Sequence, residues 1–249
     1  MEYNRYADIK RLQFIVDTLK ANVPADATVL DVGCGNGIIS RGVGREGFSV
    51  YGIDVSDKAI EKARSLTDQA NVKFDVISAE QLVADGKRYH AVICSEVLEH
   101  LNQPEKLLGV LYQSLTDDGI LIVTVPNGQG PREVLVTKPT IALQKKNNWA
   151  WHLLLRVKRL LGYKGTTVQS DAADLTHIQF FTRKSLDRLA QDNGFHIVKF
   201  GKTNFIDDIF PLSFVTRKIR ILQKWDAAVA EKLPHQLTGS FVSAWQKSR

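Results

Sequence analysis

The segment 29–37 constrains the fold of this chain more than any other. It reads Val-Leu-Asp-Val-Gly-Cys-Gly-Asn-Gly, an apolar strand that ends in an acid and then turns through three glycines. Glycine lets the backbone adopt left-handed conformations and lie close to a ligand, where a Cβ atom would intrude. A second apolar strand at 48–53 is followed by Asp54, where a βαβ unit places the carboxylate that accepts ribose hydroxyls. Together they predict a nucleotide-type site at one edge of a parallel sheet.

Apolar runs and helical patterns alternate along most of the chain. Strands are predicted at 28–32, 48–53, 72–77, 89–94, 120–125 and 195–200, with a closing edge strand at 240–245. Helices are predicted at 5–21, 38–45, 57–66, 104–115, 182–192 and 214–233. This rhythm predicts an α/β fold with a Rossmann-like, seven-stranded, mostly parallel sheet and helices on both faces. We expect one domain, 1–249, with a lid inserted at 128–176 after strand five.

Composition and charge limit the class of protein. The chain has 249 residues, of which 44% are hydrophobic and 24% charged, and only two are cysteines. These values are typical of a globular protein without a disulfide framework, so we expect a cytoplasmic location. Charges throughout residues 1–20 argue against a secretory signal, and no apolar run reaches the ~20 residues that a bilayer-spanning helix needs.

The basic charge is concentrated in the predicted lid. Residues 128–176 hold eight Lys or Arg and three acids, so this segment carries +5 of the net charge of +6. A charge patch of this kind predicts a partner surface.

The acid-and-glycine pattern Asp31-x-Gly33-x-Gly35-x-Gly37 resembles the class I S-adenosylmethionine (SAM) methyltransferases. Ligands of open α/β sheets bind beyond the carboxyl ends of the strands, so the residues that follow each strand are candidate contacts. The resemblance implies that Asp31 and the glycines receive the methionine end of SAM and that Asp54 holds the ribose. It implies the following cofactor-binding set: Asp31, Gly33, Cys34, Gly35, Gly37, Asp54, Ala79, Glu80, Cys94 and Ser95.

A second group of polar residues follows strand four. Glu96, Glu99 and His100 stand at i, i+3 and i+4, so on a helical turn they would share one face. His177, where the chain returns from the insertion, is a candidate fourth member. Two carboxylates and two imidazoles are a donor set for a divalent metal such as Mg²⁺, Mn²⁺ or Zn²⁺.

The spacing Glu96-x-x-Glu99-His100 followed by His177-x-x-Phe-Phe-Thr resembles the ubiquinone-biosynthesis O-methyltransferases, over residues 29 to about 200. It also resembles small-RNA 3′-terminal 2′-O-methyltransferases and methyltransferases of bacterial glycan pathways. The first likeness implies that Arg11 and Ser95 also contact SAM.

Three roles are open for this cluster. Glu96, Glu99, His100 and His177 would hold a metal that lowers the pKa of an acceptor hydroxyl. Alternatively, a histidine accepts the hydroxyl proton without a metal, with His100, Glu96 and His177 as the candidate catalytic residues. In the third case the acids only stabilise a helix start, and the cluster has no catalytic role.

The segment 148–161 combines two tryptophans and five leucines with interleaved basic residues. Such a basic amphipathic helix suits an anionic membrane interface or a lipid-linked substrate. It equally suits a structural lid that packs its leucines on the domain. A nucleic-acid surface is the third alternative, but the chain lacks an aromatic stacking platform or a recognisable RNA-binding module.

These features together predict a SAM-dependent O-methyltransferase. Its acceptor would be a small molecule with neighbouring hydroxyls, either a polyprenylated aromatic or a sugar, free or lipid-linked. The enzyme would act in the cytoplasm, with a peripheral position at the inner membrane face as the alternative. Two other functions remain open. One is an RNA 2′-O-methyltransferase or other nucleic-acid methyltransferase, whose binding would weaken steeply with salt. The other is a non-catalytic SAM-binding subunit.

Overall fold

One seven-stranded sheet organises the protein. We describe it from a computed structural model that covers residues 3, 5–83, 86–146, 156, 177–207, 209, 213, 216 and 219–248. The strand order across the sheet is β3-β2-β1-β4-β5-β7-β6. The strands are β1 (Thr28–Val32), β2 (Ser49–Asp54), β3 (Val72–Val76), β4 (Tyr89–Ser95), β5 (Leu115–Pro126), β6 (Phe195–Lys202) and β7 (Ser240–Lys247).

Helices connect most of these strands. They are α1 (Tyr6–Asn22), α2 (Ile38–Gly44), α3 (Asp57–Ser65), α4 (Ala79–Val83), α5 (Pro104–Ser114), α6 (Lys138–Lys146), α7 (Arg183–Asp192) and α8 (Arg220–Lys232). A short 3₁₀ turn, Leu98–His100, follows β4, and a π-helical segment, Glu133–Thr137, leads into α6. Ser56 caps α3 as predicted, since its Oγ accepts a hydrogen bond from the Ala59 amide at 3.3 Å.

The predicted fold class is confirmed. Strands β1 to β5 run parallel, and β7 is antiparallel to both of its neighbours, β5 and β6. The parallel strands bring their carboxyl ends to the same edge of the sheet. The residues after β1, β2 and β4 therefore lie side by side there, as the site predictions require.

The prediction of an edge strand at the end of the chain is wrong. Strand β7 lies between β5 and β6, and most of it is buried. Its mixture of serines and apolar residues indicated an edge strand, but both Ser240 and Ser243 are buried, and the Ser243 hydroxyl has two hydrogen-bond partners. The Ser243 hydroxyl donates to the Val123 carbonyl at 3.1 Å and accepts from the Trp245 indole at 2.8 Å. Strand β5 also begins earlier than predicted, at Leu115 instead of residue 120.

The core has two layers, one on each face of the sheet. Alternate residues of β4 show the division, because Val92 and Cys94 pack in one layer and Ala91 and Ile93 in the other. The first layer receives apolar residues of α5 and α7, and the second receives those of α1, α2 and α3. Burial on both faces explains the unbroken apolar runs in the sequence.

The predicted lid is described only in part. Residues 128–146 form a loop, the π-helical segment and α6. Residues 147–155 and 157–176 lie outside the described residues, and with them most of the tryptophan- and leucine-rich segment 148–161. The lid and its membrane contact therefore stay predictions. Among the described residues, every helix is too short or too polar to span a bilayer.

Candidate active site

The glycine loop after β1 has left-handed backbone at each of its glycines. The φ angles of Gly33, Gly35 and Gly37 are 68°, 54° and 75°. The amides of Gly33 and Cys34 both donate to the Ile53 carbonyl, at 2.8 and 3.0 Å, which ties the loop to the end of β2. A loop pinned in this way presents backbone close to any ligand at the edge of the sheet.

Close packing also requires glycine at two of these positions. A Cβ atom on Gly33 would lie 2.5 Å from Cγ2 of Val97, and one on Gly37 would lie 2.4 Å from Cζ of Phe74. The first contact matters for function because Val97 immediately precedes the 3₁₀ turn that carries Glu99 and His100. The glycine loop and this turn are therefore direct neighbours.

Asp31 is a buried carboxyl at the end of β1. It is 1% exposed and accepts a hydrogen bond from the Ser40 hydroxyl at 2.5 Å. The pKa of Asp31 is raised to about 7, chiefly by burial and in part by the negative charge of Asp54, while the hydrogen bond from Ser40 opposes the shift. A cationic group placed next to Asp31 would reverse this effect and favour the carboxylate.

Asp54 links the end of β2 to the glycine loop. Its Oδ2 accepts from the Gly35 amide and its Oδ1 accepts from the Ser56 amide, both at 2.9 Å. A carboxylate has about four lone-pair directions, so each oxygen can accept one more hydrogen bond. This leaves Asp54 able to receive two ribose hydroxyls, and its role in holding the ribose stays a prediction.

The remaining predicted cofactor residues follow their strands as expected but differ in exposure. Ala79 is buried in the core and Glu80 is exposed, both in the first turn of α4. Cys34 and Cys94 are free, buried thiols, and burial raises the pKa of each. Both therefore behave as small apolar side chains. Their contact with a cofactor stays a prediction.

Glu96 does not lie on a helical turn with Glu99 and His100, so that prediction is wrong. Its φ angle is 57°, the left-handed value that a non-glycine residue rarely takes, and the 3₁₀ turn begins only at Leu98. The Glu96 amide donates to the Thr124 carbonyl at 2.9 Å, which holds the residue in this conformation. As a result, the Glu96 side chain lies against β5 and not on the turn that carries Glu99 and His100.

The Glu96 carboxylate lies in a buried polar network. Oε1 of Glu96 accepts from the Thr124 hydroxyl at 3.0 Å and lies 3.3 Å from the guanidinium of Arg11. The Ser95 hydroxyl is 2.8 Å from that of Thr124. Arg11 is 4% exposed and pairs with Asp8 at 3.4 Å as well. The predictions that Arg11 and Ser95 contact SAM and that Glu96 is a metal ligand or a catalytic residue stay predictions.

The structure brings together Glu99, His100 and His177. One potential ligand atom from each lies within 4.8 Å of the others, and the two imidazole rings are 5.3 Å apart. Glu99 is 1% exposed, and neither of its carboxylate oxygens has a hydrogen-bond partner in the described ranges of the chain. Burial raises the pKa of Glu99 well above its ordinary value, and the nearby charges of Glu96 and Glu133 add to the shift, while Arg11 opposes it.

Backbone hydrogen bonds explain how His177 reaches residues far away in the sequence. The amides of Ile178 and Gln179 both donate to the Glu99 carbonyl, at 2.8 and 3.0 Å. A third bond, from the Gly128 amide to the Phe181 carbonyl at 2.7 Å, joins the two ends of the insertion. These contacts fix the backbone beside His177 against the turn that carries Glu99.

Two residues of the site were not predicted from the sequence. Thr124 is a polar residue inside the apolar run of β5, a signal that could have been noticed. Glu133 is 1% exposed, and its Oε1 lies 3.5 Å from Nδ1 of His177. Its only signal in the sequence is that it is the sole acid in the otherwise basic stretch 128–164.

Curated relatives of this chain are O-methyltransferases by name. The chain is 33% identical to the ubiquinone biosynthesis O-methyltransferase of Rickettsia bellii over 121 residues, which is 47% of this chain and 50% of that protein. It is 41% identical to the ubiquinone biosynthesis O-methyltransferase of Nitrosomonas europaea over 87 residues, 34% of this chain and 37% of that protein. The matched region thus spans about half the length of these relatives or less.

Solved structures share the fold at low sequence identity. Magnesium protoporphyrin IX methyltransferase from Synechocystis, solved with bound S-adenosylhomocysteine (SAH), superposes with a TM-score of 0.56 at 18% identity, covering 97% of this chain and 84% of that one. The 1,6-didemethyltoxoflavin N1-methyltransferase of Burkholderia thailandensis gives 0.56 at 15% identity, covering 98% and 80%. A family described as methyltransferase domain matches residues 3–199. The match covers most of the chain, including the glycine loop and the Glu99–His100–His177 cluster, and the chain belongs to this methyltransferase family.

Proposed function

We propose that the protein transfers a methyl group from SAM to a hydroxyl of a small molecule that carries neighbouring hydroxyls, such as a polyprenylated aromatic or a sugar. The observation that carries this proposal is the position of the Glu99–His100–His177 cluster beside the glycine loop, with Val97 in contact range of Gly33. A cofactor seated on the loop would have its reactive end close to these donors. The names of the curated relatives support oxygen as the accepting atom.

Each part of the cofactor site has a binding role in this proposal. Asp31 and the amides of the glycine loop receive the methionine end, and Asp54 accepts the ribose hydroxyls. Bound SAM supplies the methyl group, since the new C–O bond forms as the C–S bond breaks and SAH leaves. Asp31 becomes a carboxylate when the protonated amino group of the methionine end approaches it.

The cluster fits a divalent metal. It offers carboxylate oxygen and imidazole nitrogen donors, the mixture that Mg²⁺, Mn²⁺ and Zn²⁺ accept in proteins. The two Glu99 oxygens are buried and have no hydrogen-bond partner in the part of the chain that the structure covers, so they are the ones that a cation would satisfy. A metal held by Glu99, His100 and His177 would lower the pKa of an acceptor hydroxyl. Without a metal, one of the two histidines would instead receive the hydroxyl proton itself.

The experiment combines binding, transfer and chelation. Calorimetry with SAM and SAH tests the cofactor site, and labelled SAM is then offered with catechols, nucleotide sugars and an RNA oligonucleotide. We expect transfer to one of the small-molecule classes, loss of transfer in EDTA, and recovery with Mg²⁺, Mn²⁺ or Zn²⁺. His177→Gln should lower kcat at least ~10-fold, whereas His196→Gln, which changes an exposed histidine on β6, should not.

The other outcomes decide between the alternatives. Transfer that is indifferent to chelation would remove the metal and leave a histidine as the proton acceptor. Transfer to RNA alone, with a steep loss of binding as salt increases, would replace the small-molecule acceptor with a nucleic acid. Cofactor binding without transfer to any of these classes would contradict the proposed enzyme and favour a non-catalytic subunit.

A further inference from the structure

Glu133 is a buried carboxylate whose two oxygens have no hydrogen-bond partner within the described part of the chain. It begins the π-helical segment Glu133–Thr137 and is 1% exposed. Burying a polar group without a partner costs a few kcal/mol, and a charged group costs more. Short π-helical segments also occur frequently at functional sites. Both observations indicate that Glu133 serves the site beside it.

The ring nitrogen of His177 that faces Glu133 is also a buried polar atom. Nδ1 of His177 is buried, has no hydrogen-bond partner among the residues that the structure describes, and lies 3.5 Å from Oε1 of Glu133. An N–H···O hydrogen bond has a typical length of about 2.9 Å, so a small rotation of either side chain would pair both atoms at once. Contacts of this kind are often long in a ligand-free enzyme and shorten in the working complex.

Hydrogen bonds hold the backbone on both sides of this contact. On one side, the amides of Ile178 and Gln179 are bonded to the Glu99 carbonyl. On the other, the Lys138 ammonium donates to the Gly128 carbonyl at 2.7 Å and so anchors the start of α6 to the end of β5. With both backbones held, the orientation and tautomer of the His177 ring depend on what its side-chain nitrogens contact.

We propose that Glu133 is a positioning residue that accepts a hydrogen bond from Nδ1–H of His177. This bond keeps the proton on Nδ1 and leaves the lone pair of Nε2 available to the Glu99–His100–His177 cluster. This inference rests on the proposed function, because it assigns a task to one histidine of that site. A neutral imidazole carries one proton, so fixing it on Nδ1 makes Nε2 the acceptor nitrogen. Carboxylates that orient a metal-binding or catalytic histidine in this way are a general device, and their loss typically costs about 10–100-fold in metal affinity or activity.

The primary test reads the tautomer directly in metal-free, cofactor-free protein. The chain has six histidines, so ¹⁵N-imidazole NMR spectra can be assigned to His177 by comparison with His177→Gln. In the wild type we expect the Nδ1–H tautomer. Glu133→Ala should shift His177 to the Nε2–H tautomer, and so should Glu133→Leu. The leucine variant preserves most of the side-chain volume and provides a folded protein if the cavity left by alanine is not tolerated. Glu133→Asp should retain a measurable share of Nδ1–H.

The second readout is a binding and kinetic comparison. In Glu133→Ala or Glu133→Leu, we expect Mn²⁺ affinity by calorimetry and kcat each to fall about 10–100-fold, with the KM for SAM unchanged. Glu133→Asp should recover part of both losses. Glu105→Gln is the matched control, because Glu105 is an exposed carboxylate at the start of α5, outside the site.

The outcomes separate this inference from the proposed function. If His177 keeps its Nδ1–H tautomer in the variants without the Glu133 carboxylate, the inference is overturned. A fall in Mn²⁺ affinity would not rescue it, because with the tautomer unchanged that fall would make Glu133 a metal ligand and not a positioning residue. If the wild type methylates no hydroxyl, the proposed function fails, and the NMR comparison still decides the role of Glu133.

Discussion

Asp31→Asn tests the electrostatics of the cofactor site through the stability of the protein. Because burial raises the pKa of Asp31 from 3.8 to about 7, the folded protein keeps a proton that the unfolded chain releases near pH 4. Between these two values the folded state binds more protons than the unfolded state, so the free energy of unfolding falls as pH rises and levels off above about pH 7. The shift corresponds to about 4 kcal/mol.

Asparagine removes this dependence while conserving the local geometry. It is neutral at every pH and still offers an oxygen to the Ser40 hydroxyl. The free energy of unfolding of Asp31→Asn, measured relative to the wild type, should therefore increase by about 4 kcal/mol between pH 4 and pH 8. The gain should be fully present above pH 7, where the wild type must bury a charge.

The assay is urea unfolding of cofactor-free protein, followed by circular dichroism at half-unit steps of pH. Asp26→Asn, which changes an exposed acid in the loop before β1, is the matched control and should give a difference independent of pH. A constant difference between Asp31→Asn and the wild type over the same range would refute the reasoning. In contrast to its gain in stability, the variant should bind SAM at least ~10-fold more weakly, because it cannot pair with the amino group of the methionine end.

Two further predictions concern the same edge of the sheet. Asp54→Ala should raise the Kd for SAM at least ~10-fold in calorimetry, because two hydrogen bonds to ribose are lost, and an affinity equal to that of Asp57→Ala would contradict the assignment. Gly33→Ala should lower the free energy of unfolding by more than the ~1–2 kcal/mol expected for left-handed backbone alone, because the new Cβ would lie 2.5 Å from Val97. Gly86 also has left-handed backbone, with φ 64°, but open space around it, so Gly86→Ala should lower the free energy of unfolding only by the backbone contribution. Adding Val97→Ala to Gly33→Ala should recover the excess, and equal stability of the single and double variants would argue against the contact.

The first half of the sheet was predictable because its signals are local. Strands β1 and β4 are almost wholly buried, whereas β2 and β3 are buried in part. In all four the apolar residues mark bounds close to the observed ones, and the glycines after β1 mark the turn. The site residues that follow these strands were predictable for the same reason. A parallel sheet places them together whatever the rest of the chain does.

The features that were missed depend on contacts between distant parts of the chain. Strand β7 has the sequence of a half-exposed strand, and only its position between β5 and β6 satisfies the Ser243 hydroxyl. The left-handed backbone of Glu96 follows from its bond to Thr124 on the next strand. Glu133 faces His177 only after the insertion has returned to the sheet. None of these three arrangements has a signature in the local hydrophobic pattern.

The backbone bonds at the base of the insertion have a consequence for how this enzyme can diversify. The Gly128–Phe181 bond and the two amides on the Glu99 carbonyl hold the two ends of the insertion together, whatever the length of the chain between them. Doubling the length of a flexible closed segment costs only ~0.6 kcal/mol of closure entropy. Evolution, or an engineer building chimeras, can therefore exchange the segment beyond Glu133 for one of another length, while the glycine loop and Glu99 keep their positions in the sheet.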